Sequence, residues 1–166
     1  MFTIRDASGD LGIETARALL EEYAGALGFG LEFQRFEQEL DGLPGDYSPP
    51  RGCILLAWEN GRAVGCVAMR PMSETVCEMK RLYVRPSQRC RGLGRALAEE
   101  LIARARLAGY GTMRLDTVST MKAANVLYES LGFQQTEAYR HNPIEGARFF
   151  ELALRRAPRL RSGKGR

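Results

Sequence analysis

One stretch of the chain, from Val76 to Val118, restricts the fold more than any other. Residues Val76 to Val84 have the composition of a strand, and Pro86 stops that strand. Gly92–Ala108 then carries apolar residues at helical spacing, and Thr112–Val118 predicts a second strand. Two strands joined by one helix almost always lie parallel in one sheet with a right-handed crossover. The chain is therefore predicted to be an α/β protein.

Further strands and helices lie on both sides of this unit. Cys53–Trp58 and Ala63–Met69 flank an Asn60-Gly61 turn, which predicts a β-hairpin. The other predicted elements are a strand at Thr3–Arg5, helices at Asp10–Leu27, Phe29–Leu40 and Met121–Leu131, and strands near Gln134–Tyr139 and Ala147–Leu154. This order predicts a mixed central sheet of about six to seven strands with helices on both faces.

Three predicted helix ends carry capping signals. Asp10 is the predicted N-cap of the first helix, and Ser119 or Thr120 that of the last. Gly132 suits the left-handed residue that follows a helix, and Phe133 can fold back onto the last turn.

The composition is that of a soluble globular protein. The 166 residues, of which 45% are apolar and 27% charged, fit one domain, predicted over residues 1–155. The longest strongly apolar run, Cys53–Trp58, is too short to cross a bilayer. Asp6, Asp10 and Glu14 lie where a signal peptide would be apolar. We therefore expect a cytoplasmic protein with no membrane partner.

The cysteines and the histidine do not form a metal-binding pattern. The sequence has 4 cysteines, at positions 53, 66, 77 and 90, and no two of them form a CxxC pair. It has a single histidine, His141. We expect reduced thiols that fill space in the core, and no metal site.

The net charge is +4, and much of the excess lies near the C-terminus. Residues 156–166 are basic and lack apolar periodicity, which predicts a disordered tail. A basic tail can bind nucleic acid, but no aromatic residues cluster near this one. We therefore expect no nucleic-acid partner.

A glycine turn joins the strand that ends at Val84 to the following helix. Its glycines allow a tight turn in which backbone N–H groups face one point, and the helix directs its positive end there. Such a turn suits a pyrophosphate, although it can also be an ordinary loop before a helix. It is no full Rossmann fingerprint, because Leu97 stands where a third glycine would be. The residues of the turn are Arg89, Cys90, Arg91, Gly92, Leu93, Gly94 and Arg95.

Two segments of the sequence resemble one enzyme superfamily. The stretch from Leu82 to Gly94 is similar to motif A of the GNAT N-acetyltransferases, in which a strand ending in Leu-x-Val precedes Arg/Gln-x-x-Gly-x-Gly/Ala. Asn125–Phe133 resembles the second signature, a helix with Asn and Tyr that ends in Leu-Gly-Phe. The resemblance covers roughly Ala57–Leu154, and the first fifty residues match only in element type. It implies a GNAT-type acyl-CoA N-acyltransferase fold.

The resemblance also implies acetyl-CoA as cosubstrate and assigns residues to it. The backbone of Leu82, Tyr83 and Val84 would bind the amides of pantetheine. Residues 89–95 would hold the pyrophosphate, mostly through N–H groups. Asn125 would hydrogen-bond the cofactor near its pantetheine arm.

Tyr128 lies three residues after Asn125, so both side chains can point to one side of the helix. The resemblance implies that a tyrosine here donates a proton to the departing thiolate of coenzyme A. With pKa values of about 10 for tyrosine and about 8.5 for a thiol, this transfer is uphill by only about 2 kcal/mol. The alternative is a core aromatic, since Met121, Ala124 and Leu131 complete an apolar stripe. The resemblance favours the acid.

Glu78 is the candidate general base. Several members of the family use a glutamate on this strand, and an amine acceptor must lose a proton before it attacks a thioester. The alternative is a structural ion pair with Lys80 or Arg81. Strict alternation places Glu78 on one face with Lys80, Leu82 and Val84, but the family usually has a bulge in this strand, so alternation does not determine the face.

The predicted reaction is direct transfer of acetyl from acetyl-CoA to a primary amine of a small molecule or peptide. Phe29–Asp46 is expected to frame a partly apolar acceptor pocket. Asp116, Thr117 and His141 are further candidates for the lining of that pocket, but a structural role is favoured for each. One alternative is a non-catalytic acyl-CoA-binding regulatory module of the same fold, against which the presence of both Tyr128 and Glu78 argues. A homodimer is left open.

Overall fold

The computed structural model of the protein describes residues 1–31 and 35–154. The predicted basic tail, residues 156–166, and part of the predicted helix Phe29–Leu40 lie outside the described residues.

A mixed sheet of seven strands forms the centre of the described chain, in the order β1-β2-β3-β4-β5-β7-β6. Neighbouring strands are antiparallel except for β4 and β5, which are parallel as the crossover unit predicts. The strands are β1 (Thr3–Asp6), β2 (Cys53–Glu59), β3 (Arg62–Pro71), β4 (Val76–Val84), β5 (Thr112–Val118), β6 (Gln134–Thr136) and β7 (Ala147–Ala153).

Helices cover both faces of the sheet, which confirms the predicted fold class. Leu97 and Leu101 of α3 and Tyr128 of α4 belong to the core on one face. Leu19 and Leu20 belong to α1 and, with α2, to a second core on the other face. The described helices are α1 (Gly9–Ala26), α2 (Phe36–Asp41), α3 (Leu93–Leu107) and α4 (Lys122–Ser130).

The predicted N-caps are wrong. The first helix begins at Gly9, so Asp10 lies inside its first turn, where its charge faces the positive end of the helix. Met121 occupies the N-cap position of α4. Its N–H donates to the carbonyl of Val118 at 3.0 Å, so residues 118–121 form a turn that delays the helix.

Two further boundaries differ from the prediction. The helix α2 begins only at Phe36, because Arg35 before it has the left-handed φ of 53°. The strand β6 ends at Thr136 and does not reach Tyr139, whose hydroxyl instead donates to Glu78.

Candidate active site

The strands β4 and β5 part in the middle of the sheet. Their parallel pairing runs only from Val76 opposite Thr112 to Glu78 opposite Arg114. In the described chain no strand pairs with this edge of β4 beyond Glu78. The gap leaves backbone amides of β4 available to a ligand, and a cleft opens between the two strands.

A bulge in β4 lies beside this gap. Cys66 pairs with Tyr83 and Ala68 with Lys80, so β4 contains one residue more than β3 over this span. Arg81 is at the bulge, with a left-handed φ of 62°. The family-type bulge is therefore present, and alternation along the strand is broken there.

The bulge changes which side chains share a face. Leu82 and Val84 pack against the core beneath α3, as Cys77 and Met79 do. Glu78 alternates with these two residues and so faces the opposite side. Strict alternation would have grouped Glu78 with Leu82 and Val84, and that grouping is wrong.

Residues from both cores line the cleft. Lys80, Arg81 and Leu82 form the β4 wall, and Asp116 and Thr117 belong to the β5 wall. Tyr23, Phe29 and Leu31 contribute from the N-terminal part, and Tyr128 and Asn142 from the C-terminal part.

Tyr128 belongs to the lining of this cleft and is positioned by the end of its helix. Gly132 donates to the carbonyl of Glu129 and Phe133 to that of Tyr128, both at 3.0 Å, which is the Schellman motif that the Leu-Gly-Phe sequence predicts. Phe133 then packs edge-on against the Tyr128 ring, with centroids 5.9 Å apart. The ring also contacts Phe150. The tyrosine is thus both packed in the core and part of the cleft wall.

Two properties of the Tyr128 hydroxyl bear on its chemistry. Among the described residues, no hydrogen bond engages this hydroxyl. Burial raises the pKa of Tyr128, and the nearby Tyr23 and Asp116 raise it further. The hydroxyl therefore stays protonated over the physiological pH range.

The glycine turn forms a cradle of N–H groups in front of α3. Cys90 and Gly92 have left-handed φ values of 61° and 81°, and Gly92 is the N-cap of the helix. In the portion of the chain that the structure describes, no acceptor takes the backbone N–H groups of residues 90–95. Alternating conformations that expose consecutive N–H groups at a helix start form an anion site.

The arginine side chains of this turn are engaged within the protein. Arg91 forms a two-pronged pair with Glu59, at 2.7 and 2.8 Å. The Nε of Arg89 donates to the Val84 carbonyl at 3.0 Å. Arg95 contacts Ser130 and Glu99. The groups that this turn leaves open to an anion are therefore mainly backbone N–H groups, and the arginines add positive charge nearby.

Asn125 joins α4 to the end of β5. Its amide nitrogen donates to the carbonyls of Val118 at 2.9 Å and Met121 at 2.6 Å, and its oxygen accepts from Arg148 at 3.2 Å. These contacts fix the helix that carries Tyr128. The predicted contact of Asn125 with the cofactor stays a prediction.

Glu78 is completely buried and is surrounded by donors. Its Oε1 accepts from the Nε of Arg70 at 2.9 Å, and its Oε2 from the Tyr139 hydroxyl at 2.7 Å and from Arg140. Burial raises the pKa of Glu78, but the positive charges of Lys80, Arg140 and Arg70 outweigh it and hold the pKa below its ordinary value. The carboxylate ties the segment after β6 to β4.

We expect Glu78→Gln to lower the free energy of unfolding at pH 7 by about 3 kcal/mol, because it leaves buried cations without their counter-charge. A depressed pKa stabilises the fold above the unfolded value of about 4.3, and this contribution is lost as the pH falls through the folded value. The difference between wild type and variant should therefore shrink in acid.

Urea unfolding at pH 7 and at pH 4 measures this effect. The matched control is Glu74→Gln, the same change at an exposed position. Equal stability of Glu78→Gln and Glu74→Gln at pH 7 would contradict the role of Glu78 in holding this cluster.

Three charged residues of the cleft are absent from the site that the sequence predicts. The sequence presents Lys80 and Arg81 as ion-pair partners of Glu78, and for Asp116 it favours a structural role over a place in the acceptor site. The signal was present in the form of two adjacent charges inside a strand that is otherwise buried. Their position in the cleft depends on the bulge and on the parting of the strands. His141 does not belong to the cleft lining.

Three of the cysteines are core residues, as the sequence predicts. Cys53, Cys66 and Cys77 are buried, and burial raises their pKa values, to about 11 for Cys53 and about 12 for the other two. No group of three metal-ligating side chains forms within residues 1–31 and 35–154. None of the described helices is long and apolar enough to span a bilayer.

Comparison with known proteins agrees with this geometry. The family model described as the acetyltransferase (GNAT) family matches residues 16–133. An uncharacterized N-acetyltransferase of Schizosaccharomyces pombe is 42% identical over 144 residues, which are 86% of this chain and 88% of that protein. The N-acetylaspartate synthetase of Xenopus tropicalis is 35% identical over 98 residues, 58% of this chain and 36% of that protein.

A solved structure shows the same fold. The PaiA N-acetyltransferase of Thermoplasma acidophilum, determined in complex with coenzyme A, superimposes with a TM-score of 0.71 at 16% identity, covering 92% of this chain and 99% of that one. The family model spans more than half of the chain and the yeast relative is similar over most of its length, so the chain belongs to the GNAT family of acetyltransferases.

Proposed function

We propose that the protein transfers the acetyl group of acetyl-CoA directly to the primary amine of a small molecule or peptide. Its family makes it an acetyl-CoA-dependent N-acetyltransferase. The observation that carries the site assignment is the parting of β4 from β5 beside a cradle of N–H groups and a buried tyrosine. A cytoplasmic location remains a prediction from the sequence.

The residues present fit acetyl-CoA. The N–H groups of residues 90–95 would hold the pyrophosphate, and the free edge of β4 at Leu82, Tyr83 and Val84 would pair with the amides of pantetheine. Acetyl-CoA supplies an activated thioester. The chain's own part is to bind it, to align it with the acceptor and to move protons.

The proposed chemistry requires two proton transfers, one to the leaving sulfur and one from the attacking amine. The acceptor nitrogen attacks the thioester carbon, so a C–N bond forms and the C–S bond breaks. The sulfur leaves as a thiolate and takes its proton from the Tyr128 hydroxyl. Burial that raises the pKa of Tyr128 also makes a thiolate in the same cleft more basic, so the transfer remains feasible.

Glu78 stays the predicted base for the proton that the amine releases. It is not part of the cleft lining, so the geometry favours an indirect route. The Tyr139 hydroxyl donates to Glu78 at 2.7 Å, and a proton could reach the carboxylate through this hydroxyl.

The acceptor class has support from relatives. The Xenopus relative is named for a product that is an acetylated amino acid. An amine panel with detection of released coenzyme A tests the proposal. Release that depends on an amine supports transfer, whereas binding of acetyl-CoA with no release for any amine would support the alternative, a non-catalytic acyl-CoA-binding module.

We expect acetyl-CoA to stabilise the folded protein. At a concentration of 100 times its dissociation constant, a ligand that binds only the native state adds about 2.7 kcal/mol. A thermal melt with and without millimolar acetyl-CoA measures this, with pantetheine, which lacks the pyrophosphate, as the control ligand. No shift with acetyl-CoA would argue against the entire site.

A further inference from the structure

The cleft presents opposite charges on its two walls. Lys80 and Arg81 lie on the β4 wall, and Asp116 lies on the β5 wall. Paired neighbouring strands are about 4.8 Å apart, and these side chains lie beyond the last pair, where the walls separate further. The two walls thus present groups of opposite charge to a molecule that enters the cleft.

The bulge is what places two cations on one wall. Arg81 is anchored: it pairs with Glu39 through Nε at 2.9 Å and a terminal nitrogen at 3.0 Å, and its guanidinium lies over the Tyr23 and Phe36 rings. Lys80 beside it is only 4% exposed and lies within the cleft lining. An ammonium has three N–H donors, so it can hold a ligand carboxylate along with a partner in the protein.

The opposite wall carries an acceptor for a positive charge. Asp116 is half-buried, and one of its oxygens accepts from the amide of Asn142 at 3.2 Å. This contact fixes the carboxylate at the cleft and connects it to the segment after β6. Asp116 is close enough to Lys80 to act on its pKa, which burial and Arg81 lower to about 8.

Resting on the proposed function, we propose that the acceptor is a free amino acid, whose carboxylate is bound by Lys80 and whose ammonium faces Asp116. The remaining lining includes Phe29, Leu31 and Leu115, which suit the side chain of such an acceptor. A peptide N-terminus has the same amine but lacks the adjacent carboxylate, so it would leave Lys80 without its ligand.

The test compares matched acceptors on the wild-type protein. The twenty common amino acids are assayed beside their carboxamides, which imitate a peptide N-terminus, and beside the corresponding decarboxylated amines. For the best acceptor we expect kcat/KM to exceed that of its amide by about tenfold or more, the effect of one hydrogen bond to a charged group. Equal values for acid and amide would overturn the proposal.

The variant Lys80→Met, which keeps the length of the side chain, tests the assigned residue. It should lower kcat/KM for the amino acid about tenfold and change that for the amide little, so that the preference disappears. Arg62→Met, which removes an exposed cation at the start of β3, is the control. Equal losses for acid and amide would remove Lys80 from acceptor recognition.

The outcomes separate this proposal from the one on which it rests. If simple amines and amides release coenzyme A as well as amino acids do, acetyl transfer stands and the amino-acid acceptor is wrong. If acetyl-CoA binds and no compound in the panel releases coenzyme A, the proposed transfer itself is wrong. The wild-type comparison does not depend on the folding of any variant.

Discussion

Tyr128→Phe should lower kcat by about 100-fold or more, the usual contribution of general acid catalysis. The change deletes the hydroxyl and keeps the ring that packs on Phe133 and Phe150. Since no described residue hydrogen-bonds this hydroxyl, the fold should lose little stability. Affinity for acetyl-CoA should also change little. The measurement is kcat with the best amine, read beside a thermal melt.

The matched control is Tyr110→Phe, which is expected to behave in the opposite way. Tyr110 is a buried tyrosine outside the cleft lining, and its hydroxyl donates to the carbonyl of Arg51 at 2.7 Å. Its loss should cost about 1 kcal/mol of stability and leave kcat unchanged. Near-wild-type turnover of Tyr128→Phe would instead make Tyr128 a core residue and assign the proton to water or another side chain.

Gly94→Asp should weaken the binding of acetyl-CoA by about 100-fold. Gly94 is the second residue of α3, and a β-carbon there would meet only Leu127 at 3.7 Å and Val84 at 3.9 Å, so a side chain fits. An aspartate at this place interacts favourably with the helix dipole. A like charge about 5 Å from the pyrophosphate costs about 3 kcal/mol at an effective dielectric constant of about 20. Affinity should fall while the unliganded protein stays folded.

Gly94→Asn has nearly the same shape without the charge and is the control. We expect it to retain most of the affinity, and the difference between the two variants should diminish as salt is added. Titration calorimetry with acetyl-CoA at low and high ionic strength measures both effects. Identical dissociation constants for the aspartate and asparagine variants would place the pyrophosphate elsewhere.

Local sequence patterns were enough to predict most of the fold. The strands Val76–Val84 and Thr112–Val118 have the predicted limits, because apolar content and the stop at Pro86 are local signals. The Schellman end of α4 was equally predictable, since Gly132 and Phe133 stand in the required order. The start of α4 was not predictable in this way, because the turn at residues 118–121, closed by the Val118 carbonyl, delays the helix past Ser119 and Thr120.

The site was predictable only where it follows a motif. The glycine turn and Tyr128 follow from the sequence together with its resemblance to the family. The cleft charges do not, because Arg81 meets a glutamate 42 residues away in the chain, and Asp116 meets Asn142, which is 26 residues away and follows α4 and β6. Such contacts come from strand order and the bulge, which no local pattern specifies.

The parting of β4 and β5 also has a kinetic consequence. The sheet separates two cores, and residues of both cores line the cleft. The cleft therefore connects the two faces of the sheet. Acetyl-CoA bound at the start of α3 and an acceptor amine bound beside α1 would enter this cleft from opposite faces of the sheet. Neither substrate has to dissociate before the other binds, so both can be bound at once in a ternary complex. The acetyl group can then pass directly to the amine without a covalent intermediate on the protein.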